Sequence, residues 1–357
     1  MRAYNFSAGP AILPVEVLKE AAAELVDFQD SGMSIMEMSH RGNVYSSVHD
    51  ECIANIKELL NIPEGYSVLF MTGGASSQFA LIPMNLLGEG QTADYTNSGS
   101  WAKKAIAEAQ ILGNINIAAD CGKEIPTRVP TAEELKLTDG AAYLHITSNE
   151  TISGAQWKEF PEHECLIADM SSDILSRPLD ISKFGLIYAG AQKNLGPAGI
   201  TLVIIKDELA EKCPDTVPVI MRYKTQIENN SLYNTVPTFP VYMLCLVTRW
   251  LKAQGGLEGI QKINEAKAAK LYDLFDSSDF YNGTAVKEFR SNMNITWRLP
   301  SEELEALFIK EADQANLKTL KGHRSVGGIR ASIYNAFPME GVDALISFMK
   351  EFEAKHG

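Results

Sequence analysis

Short apolar runs recur through the first two thirds of the chain, at 67–71, 93–96, 115–118, 142–146, 164–169, 184–189 and 200–205. Each reads as a strand, and those at 184–189 and 200–205 as strands covered on both faces. Helical spacing fills several of the intervals: the small-residue turn 72–77 opens a helix through 87, and others are predicted over 100–111 and 131–136. Two more come before the first strand, 14–28, with Val17, Leu18, Ala21, Leu25 and Phe28 on one side, and 44–60. This alternation predicts an α/β fold, a mostly parallel sheet flanked by helices.

Gly255-Gly256 separates the helical stretch 241–253 from a long predicted helix, 257–275. Strand 293–299, helix 301–315, a strand hairpin region over 317–334 containing Gly327-Gly328, and helix 341–354 complete a short α+β unit. The expected division is a large domain, 16–255, and a smaller C-terminal α+β domain that takes in 1–15 with 256–357.

Composition narrows the function classes. A net charge of −13 disfavours nucleic acid and anionic membranes as partners. No apolar run reaches bilayer-spanning length, and residues 1–6 lack a signal-peptide pattern, so a cytoplasmic protein with no membrane partner is expected. The five cysteines, at 52, 121, 165, 213 and 245, never form a Cys-x-x-Cys pair, which argues against disulfides and a zinc site; no metal is expected. Metalloprotease, nucleophile-elbow and Walker motifs are absent. Gly88-x-Gly90 imitates a dinucleotide fingerprint but precedes its strand instead of following one.

Between two of the apolar runs, residues 188–199 read Tyr-Ala-Gly-Ala-Gln-Lys-Asn-Leu-Gly-Pro-Ala-Gly. Small residues leave room around Lys193 for a bulky ligand. Held on a rigid strand edge and partly desolvated, that lysine becomes an amine nucleophile near neutral pH; on an ordinary loop it is a solvated charge. Thr72-Gly-Gly-Ala-Ser-Ser77 presents backbone N–H groups and hydroxyls at a helix N-terminus, suiting a phosphate or simply a tight turn. Asp169 ends the run 164–169, where α/β sheets bind ligands, and serves either a cationic partner or a helix cap. Trp101 sits at another strand-to-helix junction, as a stacking plate or as core. His40, Arg41, His323, Arg324 and Arg330 are basic groups in an acidic chain, matched to carboxylates and phosphates or else surface charges. In combination, a lysine, a carboxylate, a phosphate turn and an aromatic plate are the parts that hold pyridoxal 5′-phosphate.

The segments 5–10 (Asn-Phe-Ser-Ala-Gly-Pro), 38–42 (Met-Ser-His-Arg-Gly), 148–151 (Ser-Asn-Glu-Thr), 189–199, 231–235 (Ser-Leu-Tyr-Asn-Thr) and 321–335 closely resemble the phosphoserine aminotransferase family, of the class V, fold-type I branch of pyridoxal-phosphate enzymes. The resemblance implies that Lys193 carries the cofactor's aldehyde, Asp169 pairs with its ring nitrogen, Trp101 stacks on the ring and Thr151 bonds its hydroxyl side. Ala75, Ser76 and Gln192 would hold the phosphate, with Asn234 and Thr235 reaching it from the other subunit of a homodimer. Arg41 and Arg330 would bind substrate carboxylates, with His40, His323 and Arg324 near the phosphate or side-chain carboxylate. Some members carry arginine where this chain has Ser76, and others serine where it has Ala8. The implied reaction passes an amino group from glutamate to 3-phosphohydroxypyruvate, giving O-phosphoserine and 2-oxoglutarate in serine biosynthesis; service in pyridoxine biosynthesis on 4-phosphohydroxythreonine is left open. The alternative within the class is an alanine–glyoxylate or serine–pyruvate aminotransferase.

Overall fold

The computed structural model describes residues 2–121 and 126–357. Tyr4–Asn5 (β1) and helices Val15–Ala23 (α1) and Asn43–Leu59 (α2) come first. Tyr66–Met71 (β2) leads into Gly74–Leu86 (α3), Thr92–Asn97 (β3) into Ser100–Leu112 (α4), and Asn114–Asp120 (β4) runs on towards Leu144–Thr147 (β5). A small antiparallel hairpin, Asn149–Glu150 (β6) and Ala155–Gln156 (β7), precedes Leu166–Asp169 (β8), Phe184–Gly190 (β9) and Thr201–Lys206 (β10). Asp207–Ala210 (α5), Tyr223–Glu228 (α6), Thr238–Ala253 (α7) and Gly256–Asp276 (α8) follow. Asn282–Gly283 (β11), Asn294–Arg298 (β12), Glu302–Gln314 (α9), Leu317–Lys318 (β13), Ile329–Ser332 (β14) and Met339–His356 (α10) complete the chain.

The main sheet has the order β2-β10-β9-β8-β5-β3-β4. Only β10 runs against its neighbours, so the sheet is mostly parallel, as the alternation predicts. Strands β5, β8 and β9 are buried throughout. Successive side chains enter different cores: Leu186 and Tyr188 join α3 and α4, while Ile187 and Ala189 join α2 and α7. Burying each such aliphatic side chain contributes about 1.5–3 kcal/mol, which is why these runs lack polar alternation. A third core gathers Phe6 and Ile12 with apolar residues of α8, β12, α9, β14 and α10.

Three local expectations change. The first helix stops at Ala23: Phe28 leaves the helical path, takes an N–H···O bond to Met33, and packs edge-on against Tyr242 with ring centroids 5.4 Å apart. Over 131–136 only the single 3-10 turn Ala132–Glu134 forms, because Lys136 donates its N–H to Ala118 of β4. The two strands of the expected 317–334 hairpin find other partners. β13 pairs in parallel with β1, β14 pairs with β12, and a lone Lys321–Ile329 bridge closes the loop between them. Thr319, at φ 64°, turns the chain away from hairpin geometry.

Register sets the site. Thr147, Asp169 and Tyr188 lie abreast on β5, β8 and β9, and Gly190, Thr201 and Met71 on β9, β10 and β2. The connections after residues 71, 97, 147, 169 and 190 therefore leave one edge of the sheet, the edge at which parallel strands present ligand sites.

Candidate active site

Lys193 lies three residues beyond β9, in the connection to β10, not on the strand edge that the sequence suggested. The connection is nevertheless fixed, because Ala191 donates its N–H to Ile200 and its own carbonyl accepts from Leu195 and Gly196. From it the Lys193 amine reaches Thr151 Oγ1 at 2.7 Å and stands 5.2 Å from the centroid of the Trp101 ring. Burial pulls that amine down to about 8; Asp169 and Glu150 oppose the shift and Arg330 adds to it.

Asp169 ends β8 and is 6% exposed. Its Oδ1 accepts the Ser171 N–H at 2.9 Å and the Ser171 hydroxyl at 2.6 Å, while Ser171 Oγ accepts the N–H of Gly190. Burial raises the carboxyl above its ordinary value; the charge of Lys193 and the bonds from Ser171 hold it back. The cap-like bonds and the nearby cation, alternatives in the sequence, coexist.

Trp101 is the second residue of α4 and is only partly buried. Lys104 Nζ stands 4.4 Å from its ring centroid, so two ammonium groups face the indole, which is not plain core. Thr151, just past β6, also offers its carbonyl to Arg330 Nη1 at 3.2 Å. One residue thus holds both a candidate nucleophile and a candidate carboxylate binder.

At the turn into α3, Gly73 has φ 92°, and a Cβ there would lie 1.9 Å from Ser77 Oγ. Only glycine fits. Ala75 and Ser76 occupy the first helical turn, whose N–H groups have no intrahelical acceptor and suit an anion. Gln192 folds its amide over Gly190, where a Cβ would meet Oε1 at 2.7 Å. The N-terminal segment rests on the lysine: a Cβ on Gly9 would touch Lys193 Cγ at 3.3 Å, and the Ala8 carbonyl accepts from the Tyr334 hydroxyl at 2.8 Å.

The remaining polar and basic residues fall into two groups. His323, Arg324 and Arg330 share one side: His323 Nδ1 accepts the Ser325 N–H, and burial followed by the charges of Arg330, Arg324 and Lys104 lowers the imidazole. Such a field attracts anions. His40, Arg41, Asn234 and Thr235 form the other group, whose Asn234 reaches the turn into α3. Arg41 Nη2 donates to Leu232 and Asn234 lines a cavity of about 320 Å³ with Thr72, Gly73, Ser77, Ile220 and Met221. Among the described residues, no hydrogen bond joins this group to Lys193, Thr151 or Arg330.

Sequence reasoning passed over Ser171 and Glu150. Ser171 follows Asp169 by two, the spacing of a side chain that caps its own turn, and that signal was readable. Glu150 stood inside the segment 148–151 as a carboxylate in an otherwise uncharged stretch.

The site suits a flat phosphorylated aldehyde: an amine poised near neutrality, an indole face with a buried, unpartnered Nε1, a helix N-terminus for the phosphate, and Asp169 for a ring nitrogen. Among the described residues, no group of three or more His, Cys, Asp or Glu could hold a metal ion, and no helix is long and apolar enough to cross a membrane.

Comparison with known proteins agrees with this inventory. The family model for class-V aminotransferases matches residues 3–345. A phosphoserine aminotransferase of Niallia circulans is 56% identical over 359 residues, covering 100% of this chain and 99% of its own. The solved phosphoserine aminotransferase of Bacillus circulans subsp. alkalophilus superposes with a TM-score of 0.97 at 56% identity, over 100% of this chain and 99% of that one. A pyridoxal-phosphate-bound phosphoserine aminotransferase of Trichomonas vaginalis gives 0.94 at 42% identity, over 98% and 100%.

Proposed function

Because the chain belongs to the class-V aminotransferases and, within them, to the phosphoserine aminotransferase family, we propose how its own residues divide the work of that reaction. The protein is a pyridoxal-phosphate enzyme that transfers an amino group from glutamate to 3-phosphohydroxypyruvate, giving O-phosphoserine and 2-oxoglutarate reversibly. Full-length identity above one half to phosphoserine aminotransferases disfavours the alanine–glyoxylate alternative.

The cofactor, when bound, supplies an aldehyde for the amino group and a ring that takes up the electron pair left behind by a departing α-proton. Lys193 is the residue that carries it. Displaced, its amine takes and returns the α-proton, a task for which a value of about 8 is close to the optimum at neutral pH. Asp169, fixed by Ser171, keeps the ring nitrogen protonated. Trp101 covers the ring, and Thr151 orients the lysine and the ring hydroxyl. Ala75, Ser76 and Gln192 bind the phosphate through backbone amides and short side chains. Arg330 takes the substrate α-carboxylate, and His323 and Arg324 the distal anion.

His40, Arg41, Asn234 and Thr235 serve the site of a second copy, making the enzyme a homodimer with shared active sites. Support comes from the absence, among the described residues, of any hydrogen bond from them to Lys193, Thr151 or Arg330, and from the exposed Met33, Met36, Met221 and Tyr233 in the same stretches of chain. Residues 16–255 act as the large domain and 1–15 with 256–357 as the small one, a division supported by the separate third core. A cytoplasmic location accords with the reduced cysteines.

One observation carries the assignment of roles: the Lys193 amine, brought near neutrality, is held 2.7 Å from Thr151 within reach of Asp169. The test is the visible spectrum of the purified protein. A band that bleaches with O-phosphoserine and persists with L-alanine is the expected result. A protein that stays colourless after incubation with pyridoxal phosphate refutes the roles.

A further inference from the structure

Glu150 is 1% exposed, on a two-residue strand clamped to Ala155 and closed by the Gly154 N–H on its own carbonyl. The side chain of Ser98, the residue just past β3, donates to Oε1 at 2.8 Å. Oε2 is sealed from solvent and has no hydrogen-bond partner among the described residues. The carboxyl fills the space a side chain at position 99 would need: a Cβ on Gly99 would stand 2.3 Å from Oε2. The backbone there is extended, so the glycine is required by the carboxylate and not by its own torsion. Gly99 opens α4, whose second residue is Trp101, and Glu150 is followed by Thr151, the hydrogen-bond partner of Lys193. A cavity of about 210 Å³ lined by Gly99, Lys103, Glu150, Ser153 and Ser325 extends from this carboxylate towards the loop that carries His323 and Arg324.

A buried, half-satisfied carboxylate costs several kcal/mol unless a positive charge compensates it. The charges that face it are Lys193 and Lys103, which favour its ionised form, and Asp169, which opposes it. Around Lys193 stand Asp169, Glu150 and Asp173 on the favourable side and Arg330 on the other.

We propose that Glu150 is a second carboxylate of the active site, a positioning residue that holds positive charge on the Lys193 nitrogen from beneath Thr151 and Trp101, while Asp169 is engaged with the cofactor ring. Burial pushes Glu150 up to about 7, so it ionises when a cation stands at position 193 and takes a proton when that cation is lost. The two groups then exchange charge without leaving a net charge buried. The proposal rests on the assignment of Lys193 as the cofactor-carrying residue.

The experiment is a spectral pH titration of the holoenzyme, whose visible band reports protonation at the Lys193 nitrogen, in wild type and in Glu150→Gln. Glutamine keeps the volume and the bond from Ser98 but removes the charge, so the midpoint should fall by about one pH unit. Ser98→Ala, which frees Oε1 and favours the protonated carboxyl, should lower it by a smaller amount in a chain that keeps its glutamate. A purely structural role would change thermal stability and leave the midpoint in place; a midpoint unmoved in both variants overturns the proposal. If the wild-type protein shows no titratable visible band, it is the role of Lys193 that fails, and the two outcomes are separate.

Discussion

Lys193 and Lys267 are both lysines whose amines burial pulls far down, to about 8 and about 7, yet their surroundings are opposite in kind. Lys267, on α8, is fully buried and donates to the carbonyls of Ile333, Tyr334 and Phe337 at 3.0, 2.7 and 3.1 Å, with Asn335 at 3.5 Å. Carbonyls accept hydrogen bonds and cannot exchange protons. The N–H groups of Lys267 are spent on those oxygens, so the lysine pins the 333–337 segment to α8. Lys193 has one hydroxyl partner, an indole face, and three carboxyls within electrostatic reach. Its neighbours can give, take and reorient protons. A depressed amine therefore marks burial; the chemistry of its partners decides whether it reacts.

That contrast can be broken in three ways. Lys193→Ala should lower turnover by on the order of 10⁴-fold or more, since the proposed carrier and proton shuttle are one group, while the melting temperature stays close to wild type. Activity within tenfold of wild type in that variant would end the distinction. Lys267→Met should do the reverse: leaving buried carbonyls unpaired costs about 2–4 kcal/mol, read as a lowered thermal midpoint, with turnover of the folded fraction within about threefold. Collapse of turnover at unchanged stability would place Lys267 in the chemistry. The smallest effect sharpens the comparison by pH. With the Lys193 amine lowered in the folded chain, the unfolded chain binds more protons between about 8 and the ordinary lysine value, so apoprotein stability rises with pH across that window, by on the order of 1 kcal/mol. Lys193→Met should remove the part of the rise that belongs to position 193, leaving the part that Lys267, lowered to about 7, contributes from about pH 7 upward. A rise unchanged in Lys193→Met would show that this amine is not lowered, and the contrast would lose its reactive member.

The strand-rich framework was legible because a sheet buried on both faces needs unbroken apolar runs, and Lys193 and Asp169 were legible because they follow such runs directly. Ser76, in the turn 72–77, and Trp101 lie at such strand ends and were legible for the same reason, whereas Thr151 was implied by the family resemblance alone. Lys267 was not, since its partners are backbone carbonyls, which no residue pattern announces. Glu150 was hidden differently: its significance lies in Gly99, on another strand connection, having no side chain. The 317–334 hairpin failed because strand choice is made by contact across the whole chain. Leu317 prefers Tyr4, and nothing near either residue says so. Leu25, 40% exposed beyond the end of α1, shows the opposite error, an apolar periodicity continuing where the helix does not.

The contact between the Ala8 carbonyl and the Tyr334 hydroxyl spans 326 positions of chain. Residues 8–11 meet one partner near Gln192 and Lys193 and another only at Tyr334, so their seat is finished in two stages as the chain is made. Since Gly9 rests on the stem of Lys193, one wall of the chamber at the candidate site is built from residues made long before the tyrosine that fixes them. A translation product truncated before position 334 would thus carry the lysine and the sheet that supports it with one side of the chamber never closed.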